Sequence, residues 1–142
     1  PDEPRFADAR SALFMMFEEV PLSLPVRGPS SYRLLHYLQQ KPGGNVDELH
    51  SAWAAAHEAL LGEAPDLFAG VRRALLNKTI NLPGAPTAPY AGMCELGFLQ
   101  LTDEAAMSEY VQRIETRLEP LIQRSASFYL LAEAVPVRGT LY

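Results

Sequence analysis

One run in the chain alternates between two kinds of side chain and then changes its period. From Ser31 to Gln39, Tyr32, Leu34, His36 and Leu38 fall on one side, while Arg33, Leu35, Tyr37 and Gln39 fall on the other. A period of two is the signature of a strand. Lys41-Pro42-Gly43-Gly44 stops that strand, because neither proline nor paired glycines extend a sheet ladder. Beyond the turn, Val46, Leu49, Trp53, Ala56 and Leu60 recur at helical spacing, an apolar stripe suited to burial. Asn45 is placed to cap this helix, with Glu48 three residues on as in a capping box. Asp47 and Glu48 also suit the positive end of the helix dipole. Gly62 and Pro65 are expected to close it.

Pro1 to Asp8 is a polar arm. Ala12 to Leu22 is a short apolar run that meets proline, which predicts a strand rather than a helix. Pro21, Pro25, Gly28 and Pro29 then form a loop. Val71 to Asn81 reads as a further strand, and the proline-bearing stretch from Leu82 to Tyr90 as a connection. Met93 to Leu101 alternates again. Cys94, Leu96 and Phe98 make a fully apolar face, suited to lie under helices, and Met93, Glu95, Gly97 and Leu99 make the other. Thr102 is placed to cap a second helix whose stripe is Met107, Tyr110, Val111, Ile114 and Leu118, ended or kinked by Pro120. Phe128 to Arg138 is a last strand. It echoes the first: the run from Phe14 through Glu18 to Pro21 resembles the run from Tyr129 through Glu133 to Pro136 at a constant offset. Two edge strands of similar composition would produce this echo, as would a remnant of duplication.

After residue 30 the order is strand, helix, strand, strand, helix, strand. That is an α+β, ferredoxin-like (split βαβ) pattern: an antiparallel sheet with two helices on one face. Residues 1–30 form an N-terminal arm and extra strand, and residues 31–142 the domain. The face without helices needs cover, and a second copy of the chain is the usual cover.

Composition narrows the function classes. A chain of 142 residues with 48% hydrophobic content buries roughly 68% of its unfolded surface without staples. A net charge of −5 argues against a nucleic-acid partner, which calls for clustered Lys and Arg. No apolar run approaches the roughly 18 residues of a transmembrane helix, and no basic segment leads into a cleavage site, so a membrane partner is not expected. Cys94 is the single cysteine; it cannot form an internal disulfide and fits a reducing cytoplasm.

From Ser31 to Arg138 the residues resemble the EthD family of the dimeric α+β barrel superfamily. The Lys41-Pro42-Gly43 turn is similar to the turn that ends the family's first strand. Leu49-His50-Ser51-Ala52-Trp53, followed four residues on by His57, is similar to its first helix. Gly70-Val71-Arg72-Arg73 through Leu76-Asn77, and Pro89-Tyr90-Ala91-Gly92 through Glu95-Leu96-Gly97-Phe98, are similar to two further family runs. The resemblance implies a homodimer whose sheets enclose a small apolar or aromatic ligand. Relatives include cofactor-free enzymes on cyclic or aromatic metabolites, among them decarboxylases and isomerases. Gly97 stands where the family pattern has Trp, which would widen the cavity; Leu49 replaces Phe; and the first 30 residues have no counterpart in the minimal family domain.

His57 is the candidate proton carrier, since an imidazole near its ordinary pKa moves protons at neutral pH; the alternative is a structural histidine bonded to a loop carbonyl. Glu95, in a strand among apolar residues, is a candidate acid or base; the alternative is an ion pair with Arg72 or Arg73. His50, Trp53, Tyr37, Tyr90 and Asn77 are candidate substrate-binding residues. Two histidines seven apart with no third ligand make poor evidence for a metal, and no cofactor motif is present. Cys94 falls on the apolar face as a small hydrophobe. Two function classes remain: a cofactor-free enzyme using His57 with Glu95, Tyr37 or Tyr90, and a non-catalytic dimeric binding or accessory module. The apolar N-terminal strand could serve a larger assembly under either.

Overall fold

Alternation and the Asn45 cap act as expected in the structure, a computed structural model that describes residues 16–23, 28–81, 83–84, 88–100 and 104–133. Strand β1 is Met16–Pro21 and β2 is Tyr32–Leu38. Helix α1, Val46–Glu63, begins where Asn45 accepts hydrogen bonds from the Asp47 and Glu48 amides at 2.9 and 3.1 Å. The helix runs through Gly62 rather than stopping there. It ends just short of Pro65, which opens a short 3-10 turn, Pro65–Phe68, because proline has no N–H to continue the ladder. Strand β3 (Val71–Ile80) and strand β4 (Gly92–Phe98) follow, then helix α2 (Glu104–Leu118), a 3-10 turn (Arg124–Ala126) and strand β5 (Phe128–Glu133). Helix α2 ends before Pro120, as expected. The expected Thr102 cap, the first residues of the N-terminal strand and the stretch after Glu133 lie outside the described residues.

The sheet order is β1-β3-β4-β2-β5, antiparallel throughout. Strands β2 to β5 with their two helices give the expected ferredoxin-like arrangement, and β1 adds a fifth strand beside β3. Strands β1 and β5, the two that echo each other in sequence, are thus the two edges of the sheet among the described residues.

One face of the sheet carries the helices. Leu34, His36 and Leu38 of β2 and Cys94, Leu96 and Phe98 of β4 are buried there with Leu49, Trp53, Leu60, Tyr110 and Ile114. The other face, free of helices among the described residues (the open face), carries Arg33, Leu35 and Tyr37, with Met93, Glu95 and Gly97 opposite them on β4, while Leu75 and Asn77 of β3 are buried on it. Phe128 and Leu130 of β5 continue that open face, 38% and 49% exposed. No helix among the described residues is long and apolar enough to cross a membrane.

Candidate functional site

The candidate residues separate into three places. The first is inside the core. His57 is fully buried, with Nε2 3.2 Å from the Ser23 carbonyl and Nδ1 3.0 Å from the Tyr110 hydroxyl. A carbonyl only accepts, so Nε2 carries the proton and Nδ1 accepts from Tyr110. The Tyr110 oxygen in turn lies 3.7 Å from Cys94 Sγ, so the thiol completes a chain running Cys94 to Tyr110 to His57 to Ser23. Burial governs the ionisation of every member. It lowers the His57 pKa against the opposing Ser23 hydrogen bond, pushes the Cys94 thiol up to about 12, and raises the Tyr110 phenol well above its ordinary value. The chain is therefore neutral from end to end at physiological pH.

His50 and Trp53 belong to the same core. His50 Nε2 donates to the Ala91 carbonyl at 2.7 Å, pinning the start of α1 to the approach to β4. Trp53 is fully buried and meets the His36 ring edge-on at 6.2 Å between centroids. His36 Nε2 lies 2.8 Å from Glu115 Oε2, and Arg124 Nε reaches the other oxygen of that carboxylate at 3.2 Å. Burial alone would raise the Glu115 carboxyl, but the His36 and Arg124 contacts outweigh it and hold the pKa below the ordinary carboxylate value. Among the described residues, Trp53 Nε1 and His36 Nδ1 are buried without a hydrogen-bond partner.

The second place is one end of the open face. Glu95 pairs with Arg33 Nε at 2.9 Å and stands 3.8 Å from Arg73 Nε. Arg33 is itself steered by Ser30, whose Oγ accepts from Nη1 at 2.5 Å. Gly97 does not widen a cavity here. A Cβ at that position would lie 2.6 Å from Ser30 Oγ, 2.9 Å from Ser30 Cβ and 3.2 Å from Arg73 Cβ, so those side chains already fill the space.

The third place is the other end of the open face. Tyr37 stacks on Phe128 at 4.9 Å, and Tyr90 meets both edge-on at 5.7 and 5.5 Å. Asn77, opposite Met93, donates to its carbonyl at 3.3 Å. The structure thus groups Tyr37 with Tyr90 and Glu95 with Arg33. It places His57 and Glu95 on opposite faces of one sheet, so the two do not converge on a common point within a chain.

Sequence reasoning missed Tyr110 as the partner of His57 and Glu115 as the partner of His36. Both had a signal. Tyr110 lies on the buried stripe of α2 with a hydroxyl that needs a partner, and Glu115, four residues after Val111, falls on that stripe as a carboxylate. Among the described residues no three His, Cys, Asp or Glu side chains come together as a metal set would require.

No family model matches the chain, and neither a curated protein nor a solved structure matches it.

Proposed function

We propose that the chain is a homodimeric small-molecule-binding protein whose open sheet face meets its copy around an apolar or aromatic ligand. The observation that carries this reading is the composition of that face. Leu35, Tyr37, Met93, Phe128 and Leu130 lie on it beside the Arg33–Glu95 pair. Apolar surface with a few fixed polar groups is what ligand sites use, and a single chain leaves Phe128 and Leu130 partly exposed to water. The resemblance to the EthD family supports the same arrangement. A lone buried thiol agrees with residence in the cytoplasm.

Binding is favoured over catalysis by the state of His57. Both ring nitrogens are engaged by Ser23 and Tyr110, so proton transfer to a substrate would require that core chain to break. If an enzyme exists here, its acid or base is Glu95 on the ligand side, with Tyr37 or Tyr90 orienting the substrate.

Sedimentation velocity of the wild type and of Leu130→Lys, with native mass spectrometry of protein purified from its source cell, tests the reading. The wild type should sediment as a dimer carrying a small organic ligand, and the variant as a monomer without it. A monomeric wild type, or a dimer that Leu130→Lys leaves intact, would count against the open face as the interface.

A further inference from the structure

The strand β3 ladder slips between Val71 and Arg73, so that Val71 pairs with Phe98 while Arg73 pairs with the next residue, Gly97. Arg72 is the extra residue of a β-bulge. In an unbroken strand, successive side chains leave by opposite faces, and two consecutive arginines would be divided between core and solvent. Bulges re-aim side chains and are common beside sites. Here Arg72 and Arg73 line the same cleft, about 360 Å³ in volume, with Pro21, Leu22 and Gly28 across from them and Ala74 and Leu75 continuing the wall. That volume is at the lower end of the roughly 300–1,000 Å³ usual for small-molecule sites.

The charge in this corner is uneven. Among the described residues Arg33 and Arg73 share the carboxylate of Glu95, and Arg72 lines the cleft beside Arg73, on a chain whose net charge is −5. Glu95 takes the 2.9 Å contact from Arg33 and stays 3.8 Å from Arg73. Among the described residues Arg72 makes no ion pair. A guanidinium offers a planar fork matched to a carboxylate, and the exposed Pro21 offers hydrocarbon beside it, with the edges of the buried Leu22 and Leu75 behind. The open face shows the same polarity along its length. Arg33 stands at one end of β2 and Tyr37 at the other, roughly 13 Å apart at about 3.3 Å per residue.

We propose that the cleft between Arg72–Leu75 and Pro21–Leu22 binds a small carboxylic acid with an apolar body, Arg72 and Arg73 taking the carboxylate. This deepens the small-molecule reading above and rests on it. It requires no bond to form or break.

Two-dimensional amide NMR titration of the full chain with 2-naphthoate and with its neutral counterpart 2-naphthamide tests the assignment. 2-Naphthoate should shift the amides of Gly28 and of residues 72–75 and bind at least tenfold more tightly than 2-naphthamide. Arg72→Gln, outside the Arg33–Glu95 pair, should abolish that advantage, and Arg113→Gln, which among the described residues breaks only a surface pair with Glu109, should preserve it. Equal binding of acid and amide, or an advantage that survives Arg72→Gln, overturns the carboxylate assignment and leaves the small-molecule reading standing. Shifts by 2-naphthoate elsewhere overturn the location. Absence of shifts with either compound at millimolar concentration overturns both.

Discussion

The Tyr110 hydroxyl stands 3.0 Å from His57 Nδ1 and ties α2 to α1 across the middle of the core. Because the same oxygen also takes the Cys94 thiol, removing it orphans a donor and an acceptor together. Tyr110→Phe keeps the ring and so leaves no cavity. It should still lower stability by about 1–3 kcal/mol, the cost of buried polar groups left without partners. Urea denaturation monitored by circular dichroism measures this. A midpoint unchanged from wild type would mean that His57 is held by Ser23 alone.

The same ring predicts a pH dependence. Its folded pKa lies below the ordinary value of 6.5 because burial disfavours the imidazolium. Between those two values the unfolded chain binds a proton that the folded chain refuses, so stability falls as pH drops. The contribution is fully present above pH 6.5 and is lost as pH falls through the lowered folded pKa. His57→Gln removes the titrating group. Urea midpoints taken at intervals from pH 8 to pH 5 should decline in the wild type below pH 6.5 and stay flatter in the variant. Parallel declines would assign the effect to another group.

Much of this architecture was legible in local pattern, and the partners were not. Alternation divided β2 into two faces without saying which is covered, whereas the wholly apolar Cys94, Leu96 and Phe98 announced the helix-covered face of β4, because a strand with one buried face has only one workable register. Asn45 announced the start of α1 because a side-chain acceptor there satisfies orphan amides. His57 was legible only as a residue type. What decides its role is Tyr110, 53 positions away, and the Ser23 carbonyl, 34 positions away, and neither spacing leaves a trace in a single sequence. Gly97 failed for a related reason. A missing side chain signals either empty space or a close neighbour, and the neighbour, Ser30, comes from a loop.

Glu115 offers a second acid-sensitive link with a different window. Its pKa is held below the ordinary carboxylate value of 4.5 by His36 and Arg124 against the effect of burial. A depressed carboxyl contributes stability that is present above its unfolded pKa and lost as pH falls through the folded one. Glu115→Gln should cost about 1.5–3 kcal/mol at pH 7, the usual worth of hydrogen bonds to a charged partner. It should also flatten the stability profile below pH 4.5 while leaving the decline that His57 causes below pH 6.5 in place. Thermal or urea melts across both windows separate the two links, and a variant profile parallel to wild type below pH 4.5 would dismiss the Glu115 assignment.

Cys94 reports on whether the core opens as a unit. It is fully buried between the sheet and α2, and burial pushes its thiol up to about 12, so the reactive thiolate is scarce in the folded state. Reaction with a disulfide reagent should be negligible in buffer and complete in denaturant. In the wild type its rate should track the population of the unfolded state. Tyr110→Phe, which removes the hydroxyl beside the sulfur, should speed labelling through lost stability. Rapid labelling of native wild type would show that the sheet–helix interface opens locally.

Gly97 tests the open-face network most directly, because the space beside it is already taken. A Cβ there would overlap Ser30 Oγ and Ser30 Cβ, and would also press on Arg73 Cβ. Ser30 is the residue that steers Arg33 onto Glu95, so displacing it disturbs the pair as well as the packing. Gly97→Ala should therefore cost about 1–3 kcal/mol, the usual penalty of overpacking, although alanine is among the smallest changes available. Ser30→Gly alone removes the steering hydroxyl at a modest cost. Combined with Gly97→Ala it also removes the obstruction, so the double variant should be more stable than the sum of the single losses, with a coupling of about 1 kcal/mol. Arg73 Cβ keeps that recovery incomplete. Strict additivity in urea denaturation would mean that the loop bearing Ser30 moves aside freely, and that Gly97 is glycine for a reason other than its neighbour.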